Sequence, residues 1–273
     1  MLPALARFAL VAGAIAATPG RTTTVVAIED VGSPLERAFE SPAYARAAAA
    51  DAELRWDDAR LLYHQAADAW STIARTRPSR PLESAVAKAE HEASASQALL
   101  ARGRSGGPPF GLGHLPEEAR RAFVRRQALE DAHLLRGKLM ATRAVLGRLP
   151  PALYDRTRAR LEEARDADAH TPDSGDADIA LLLCATYAVG GDAAAAHAAR
   201  AQVTTAERAD PANKLSLAAC AAALGENDAA LAALEGFVLR PALPRPDNVL
   251  REVYLWNDWD HLRNAPRFES LFR

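Results

Sequence analysis

The chain is poor in lysine, cysteine, methionine and aromatic residues. Of its 33 basic residues only Lys88, Lys138 and Lys214 are lysines. Alanine makes up roughly a quarter of the 273 residues, and this bias together with the arginine excess reads as codon usage in a GC-rich genome. Aromatics are 6% of the chain and β-branched residues are sparse, which excludes a large β-sheet. A formal net charge of −2 excludes a polybasic nucleic-acid coat, so no nucleic-acid partner is expected. No apolar run reaches the roughly twenty residues a membrane helix needs. No phosphate-binding Gly-rich motif occurs either.

What is present is helix-forming sequence throughout. Hydrophobic residues are 49% and charged residues 25%, a globular balance, and alanine is the strongest helix former. The expected fold class is therefore all-α. Residues 1–20 carry Arg7, an apolar run from Phe8 to Ala17 and a small-x-small Ala14-Ile15-Ala16 site. That is a secretory signal-peptide pattern, implying a periplasmic or secreted protein. The alternative is a short N-terminal segment of a cytoplasmic protein. Residues 21–40 read as an extended arm containing the β-branched stretch Thr22 to Ala27.

Ser41-Pro42 starts a helix that runs to about Leu54, with serine as cap and proline in the first turn. Asp57 to about Arg77 and Ser79 to about Arg102 complete a first set of helical hairpins over residues 41–103. Residues 104–116 form a Gly/Pro loop. Pro116-Glu117-Glu118 restarts a helix extending toward Leu149, with a kink expected at Gly137, and Tyr154 to His170 forms another; residues 117–170 are central helices. From Asp176 two hairpins follow, each an apolar helix, a Gly-containing turn and an Ala-rich helix. Gly191 matches Gly225 and Ala196 matches Ala230, an offset of 34 residues. The second helix of the first of these hairpins spans Asp192 to Ala209, overlong for such a repeat.

These hairpins resemble the tetratricopeptide repeat (TPR). Ala185, Ala188, Ala196 and Ala230 occupy its small packing positions, and Pro211 and Pro241 its helix-ending prolines. Trp56-Asp57-Asp58-Ala59, followed by Tyr63 and Ala66, resembles its turn entry. Leu262, Arg263, Pro266, Arg267, Phe268 and Leu271 match the segment that closes many bacterial arrays of this kind, with Ala265 in place of the usual Asp. The resemblance covers residues 41–75 and 176–273. It implies stacked antiparallel hairpins, an α-solenoid with a concave partner-binding surface. First helices line that surface in the family, which points to Tyr44, Asp51, Asp178, Leu181, Ala185, Leu215, Ala219 and Ala222. The implied role is a non-catalytic scaffold for a protein or peptide partner. The clamp of Lys, Arg and Asn for a C-terminal carboxylate is missing, so the ligand expected is an apolar or helical segment. Tyr254, Trp256, Trp259, Phe268 and Phe272 are expected to cap the apolar end of the array.

Signals for chemistry are weak. Gly103-Arg104-Ser105-Gly106-Gly107 satisfies G-x-S-x-G, but a helix precedes it and prolines follow, where a nucleophile elbow needs strand then helix. His91-Glu92 lacks a second histidine one turn on. Glu130 with His133, and Asp166 with His170, are helical pairs that a metal-dependent exported enzyme would use. That enzyme is one alternative, and an architectural subunit of an envelope assembly is another. No cofactor is implied. Cys184 and Cys220 each sit in an apolar helical stretch. A disulfide needs Cα atoms within about 7 Å, and helix axes pack about 8–10 Å apart. Free buried thiols are expected, with a bridge between the two the alternative in an exported protein.

Overall fold

A computed structural model of the chain describes residues 41–104, 116–168, 176–238, 257–263 and 265–271. The expected signal peptide, the extended arm, most of the Gly/Pro loop, His170, Tyr254, Trp256 and Phe272 lie outside them. The described residues are mostly helical and contain no strand. We number the helices α1 (Pro42–Ala52), α2 (Trp56–Thr76), α3 (Arg80–Arg104), α4 (Glu117–Leu146), α5 (Pro151–Asp168), α6 (Asp176–Val189), α7 (Ala193–Ala201), α8 (Thr205–Ala209), α9 (Lys214–Ala223), α10 (Asn227–Val238) and α11 (Pro266–Leu271). A 3-10 segment, Asn257–Leu262, precedes α11 and is called the tail turn below.

Helix starts follow the sequence closely. Ser41 caps α1 by accepting from the Tyr44 N–H, with Pro42 in the first turn. Asp192 caps α7 by accepting from the Ala195 N–H at 2.9 Å. The helix continues through Gly137: α4 is one helix of 30 residues, about 45 Å long. It stops at Gly147, whose φ of +63° is the left-handed conformation glycine supplies without strain. The overlong helix Asp192 to Ala209 is broken instead. After α7 the chain turns, and Thr204 and Glu207 form a reciprocal capping box that starts α8 afresh.

Three hairpins close with the same turn. At the end of α6, the Gly191 N–H donates to Ala188 O and the Asp192 N–H to Tyr187 O. At the end of α9, the Gly225 N–H donates to Ala222 O and the Glu226 N–H to Ala221 O. At the end of α1, the Leu54 N–H donates to Asp51 O and the Arg55 N–H to Ala50 O. This is the Schellman pattern. The residue in left-handed conformation is Gly191 (φ +85°), Gly225 (φ +77°) and, unusually, Leu54 (φ +59°). Five residues later stand Ala59, Ala196 and Ala230, all with no exposed surface. A methyl side chain at that point lets the second helix approach the first.

Neighbouring elements pack in chain order for the most part: α1 on α2, α2 on α3, α4 on α5, α5 on α6, α6 on α7 and α9, α9 on α10. The long helix α4 also crosses to α1. Apolar burial falls into an N-terminal cluster around Tyr44, Tyr63 and Trp70, a small one joining Trp56, Leu99, Leu135, Leu139 and Leu153, and a large C-terminal one. Trp259 and Phe268 are fully buried in the last. Arg267 fixes α11 onto α10 by a two-pronged bond to Glu235, at 2.5 and 2.7 Å.

The cysteines overturn their expectation. Cys184 of α6 and Cys220 of α9 form a disulfide, with Cα atoms 5.4 Å apart. Ala180, Ala185, Ala219 and Ala221 are all buried beside them. Helices faced by alanine approach more closely than the usual spacing, and that brings the sulfurs within reach. Among the described residues, no helix is long and apolar enough to cross a membrane.

Candidate functional site

Two of the chain's three lysines sit in one buried charged cluster, built from α1, α2, α3 and α4. Lys138 of α4 has no exposed surface. Its Nζ lies 3.1 Å from Asp51 Oδ2 of α1 and 3.1 Å from Glu92 Oε2 of α3, and donates to the Glu92 carbonyl at 2.6 Å. All three ammonium donors are thus used. The same nitrogen stands 4.3 Å from the centre of the Tyr63 ring, and the Tyr63 hydroxyl donates to Asp51 Oδ2 at 2.6 Å. Lys88 approaches Glu92 Oε1 at 3.6 Å.

The two carboxylates respond differently. Burial pushes Asp51 up to about 6; nearby Glu92 adds to this, and Lys138 and the Tyr63 bond oppose it. Asp51 Oδ1 is buried with no hydrogen-bond partner among the described residues, which fits that cost. Burial also pushes Glu92 up, but Lys138 and Lys88 together hold it below its ordinary value. Lys88 is pushed down by burial. The cluster pins four helices together and leaves no surface for a ligand.

One face of α4 continues from this cluster toward the C-terminal hairpins: His133, Arg136, Met140, Arg143, Ala144 and Gly147 recur at helical spacing. His133 Nε2 lies 3.6 Å from Asp178 Oδ2 of α6. The Ser216 hydroxyl of α9 donates to Asp178 Oδ1. Burial tends to raise Asp178, yet the contacts with His133 and Ser216 hold it below the usual carboxylate range. Serine, carboxylate and imidazole are here in the wrong order for nucleophilic catalysis, since the carboxylate stands between the other two. Farther along, Arg136 pairs with Asp258 of the tail turn, both side chains 6% exposed.

Beyond that pair lies a half-open cleft of about 490 Å³. The ends of α4, α6 and α9 converge on it, contributing Met140, Arg143, Ala144, Val189, Ala222 and Ala223. The tail turn supplies the opposite side with Asp258, Asp260 and His261. Arg143, in the last turn of α4, offsets the partial negative charge of that helix end. Burial lowers His261 below the ordinary imidazole value. The site is therefore an apolar floor with charged groups at its rim.

The eight groove residues expected from the sequence do not line an open groove. Tyr44, Asp51, Leu181, Ala185, Ala219 and Ala222 are buried, and Asp178 and Leu215 are half-buried. Tyr44 packs edge-on to Tyr63, with ring centres 5.0 Å apart, and Asp51 is covered by Lys138. Asp51 on α1 is thus covered by the chain's own central helix α4. Leu181, Ala185, Ala219 and Ala222 belong to the C-terminal core, and only Ala222 of the eight also lines the cleft. Of the candidate metal ligands, Glu130, His133 and Asp166 lie within the described residues and do not assemble. Glu130 takes Arg102 at 2.8 Å, His133 faces Asp178, and Asp166 takes Arg165 at 3.1 Å. Among the described residues no group of three His, Cys, Asp or Glu side chains is placed to hold a metal.

Comparison with protein-family models, with curated proteins and with solved structures gives no match.

Proposed function

We propose that the chain is a TPR-like, non-catalytic interaction protein that holds an apolar or helical segment of a partner protein. The observation that carries this reading is the triple recurrence of one hairpin turn. Leu54, Gly191 and Gly225 share its geometry, and a buried alanine follows each at the same distance. Stacked hairpins of matched register bury a face only against neighbours, which is the physical basis of repeat scaffolds. The binding surface in this reading is the cleft where α4, α6 and α9 end, because α4 covers Asp51 on α1. The Cys184–Cys220 bridge supports an oxidising compartment, and so the exported localisation.

The test is capture of the tagged mature chain from its own cells with cross-linking. Arg143→Glu alters the rim of the cleft without touching the core. Cross-links from a recurrent partner to α4 and α9, lost in that variant while its melting curve is unchanged, are the expected result. A partner retained at full strength by the variant overturns the placement. Recovery of the chain alone overturns the scaffold reading.

A further inference from the structure

The tail turn behaves as a ligand seated on the rest of the molecule. It is a single 3-10 segment of six residues, a length with little stability of its own. What holds it is side-chain contact with elements remote in sequence. Trp259 is fully buried among the C-terminal hairpins. Asp258 pairs with Arg136 of α4 across 122 residues of chain. Asp260 is held at 2.9 Å by Arg263 and lies in the field of Lys88 from α3. The pattern is an aromatic anchor between two carboxylates, with Arg136 of α4 on Asp258 and the neighbouring Arg263 of the same segment on Asp260. Buried aromatic and arginine anchors are what dominate protein–segment recognition.

The seat is also larger than its occupant. The 490 Å³ cleft runs directly beside the turn, so Asp258 and Asp260 form one wall of space that the turn leaves unfilled. Arg136 Nε is buried and makes no hydrogen bond among the described residues, so the guanidinium has a donor to spare.

Resting on the interaction-protein reading, we infer that Asp258-Trp259-Asp260 occupies the partner seat in cis. The partner segment is then a short helical stretch with an aromatic residue flanked by carboxylates, and it binds by displacing the tail turn. A tethered competitor acts at an effective concentration on the order of millimolar. The intact chain therefore binds such a segment weakly, and release of the turn uncovers the full affinity.

The probe is a fluorescein-labelled peptide of sequence Asn-Asp-Trp-Asp-His-Leu, followed by anisotropy against the full chain. The variant Asp258→Asn with Trp259→Ala is expected to bind it at least tenfold more tightly than the unaltered protein. Adding Arg136→Gln, or replacing the peptide's Trp by Ala, is expected to abolish binding. Equal affinity for both proteins overturns the inference, as does loss of a cooperative melt in the released variant, because the turn would then be core. A second measurement needs no variant. In the unaltered protein, amides of residues 258–262 are expected to exchange at least tenfold faster than those in the middle of α6 and α9, because a seated ligand opens without global unfolding. Equal protection refutes the idea. Peptide binding with no partner captured from cells leaves this inference standing and sinks the scaffold reading. A captured partner with no peptide binding does the opposite.

Discussion

Replacing Lys138 with methionine tests the charged cluster most directly. Methionine matches the length of the lysine stem, so packing is largely kept while the charge is lost. Three contacts disappear: those with Asp51 Oδ2, Glu92 Oε2 and the Glu92 carbonyl. Glu92 retains Lys88 at 3.6 Å, but Asp51 keeps only the Tyr63 hydroxyl. Removing one partner from a buried ion pair costs about 3–5 kcal/mol, because the other charge is left desolvated. For a chain of this size that corresponds to a melting temperature lower by roughly 6–20 °C. Urea unfolding at pH 7, followed by far-UV circular dichroism, reads the loss. Adding Asp51→Asn removes the stranded carboxylate and is expected to restore at least half of it. A Lys138→Met protein within about 1 kcal/mol of the unaltered one refutes the reasoning. So does a double variant no more stable than the single.

Further outcomes follow from the same structure. The Asp51 pKa is raised in the folded state, so the folded chain binds a proton that the unfolded chain has already released. This contribution to stability is fully present below about pH 4 and is lost as pH rises through about 6, by roughly 3 kcal/mol in all. Unfolding free energies of the unaltered protein and of Asp51→Asn, read from urea curves between pH 4 and 7, should diverge by about that amount, and parallel pH profiles would count against it. Replacing both Cys184 and Cys220 with alanine opens a cross-link spanning 36 residues, which the chain-entropy account values at about 4 kcal/mol. Thiol titration of the denatured, unreduced protein should find no free sulfhydryl, and two would disprove the bridge. Gly191→Ala and Gly225→Ala should each lower stability by about 1 kcal/mol, because their φ values lie in the left-handed region. Leu54→Gly should change it by less, since relief of the backbone offsets the loss of a half-buried side chain; a large loss there would mean that the side chain dominates.

Sequence and structure agree best where backbone chemistry is local. Ser41-Pro42 and the turns at Gly191 and Gly225 are legible because a cap or a left-handed residue has few chemical solutions, whereas the stop at Gly147 falls short of the Leu149 expected from Pro150-Pro151. The matching turn at Leu54 is hidden, since leucine carries no signal of positive φ. The disulfide is missed because average helix spacing was applied to helices faced by alanine. The groove is misplaced for a different reason. The repeat resemblance describes hairpins one at a time and says nothing about α4, which matches no repeat and lies across α1. One signal for the cluster is present and easily discounted. In a chain that writes nearly all its basic residues as arginine, Lys88 and Lys138 mark places where a compact ammonium fits and a planar guanidinium does not.

The bond between Arg136 and Asp258 also has a bearing on birth of the protein. At roughly 5–20 residues per second of synthesis, the 122 residues between them separate their emergence by about 6–24 s. For that interval the long helix is without the Asp258 partner of its Arg136. The final closure is thus a late step, since a contact this far apart in the chain forms only after the whole span between its partners is free to fold.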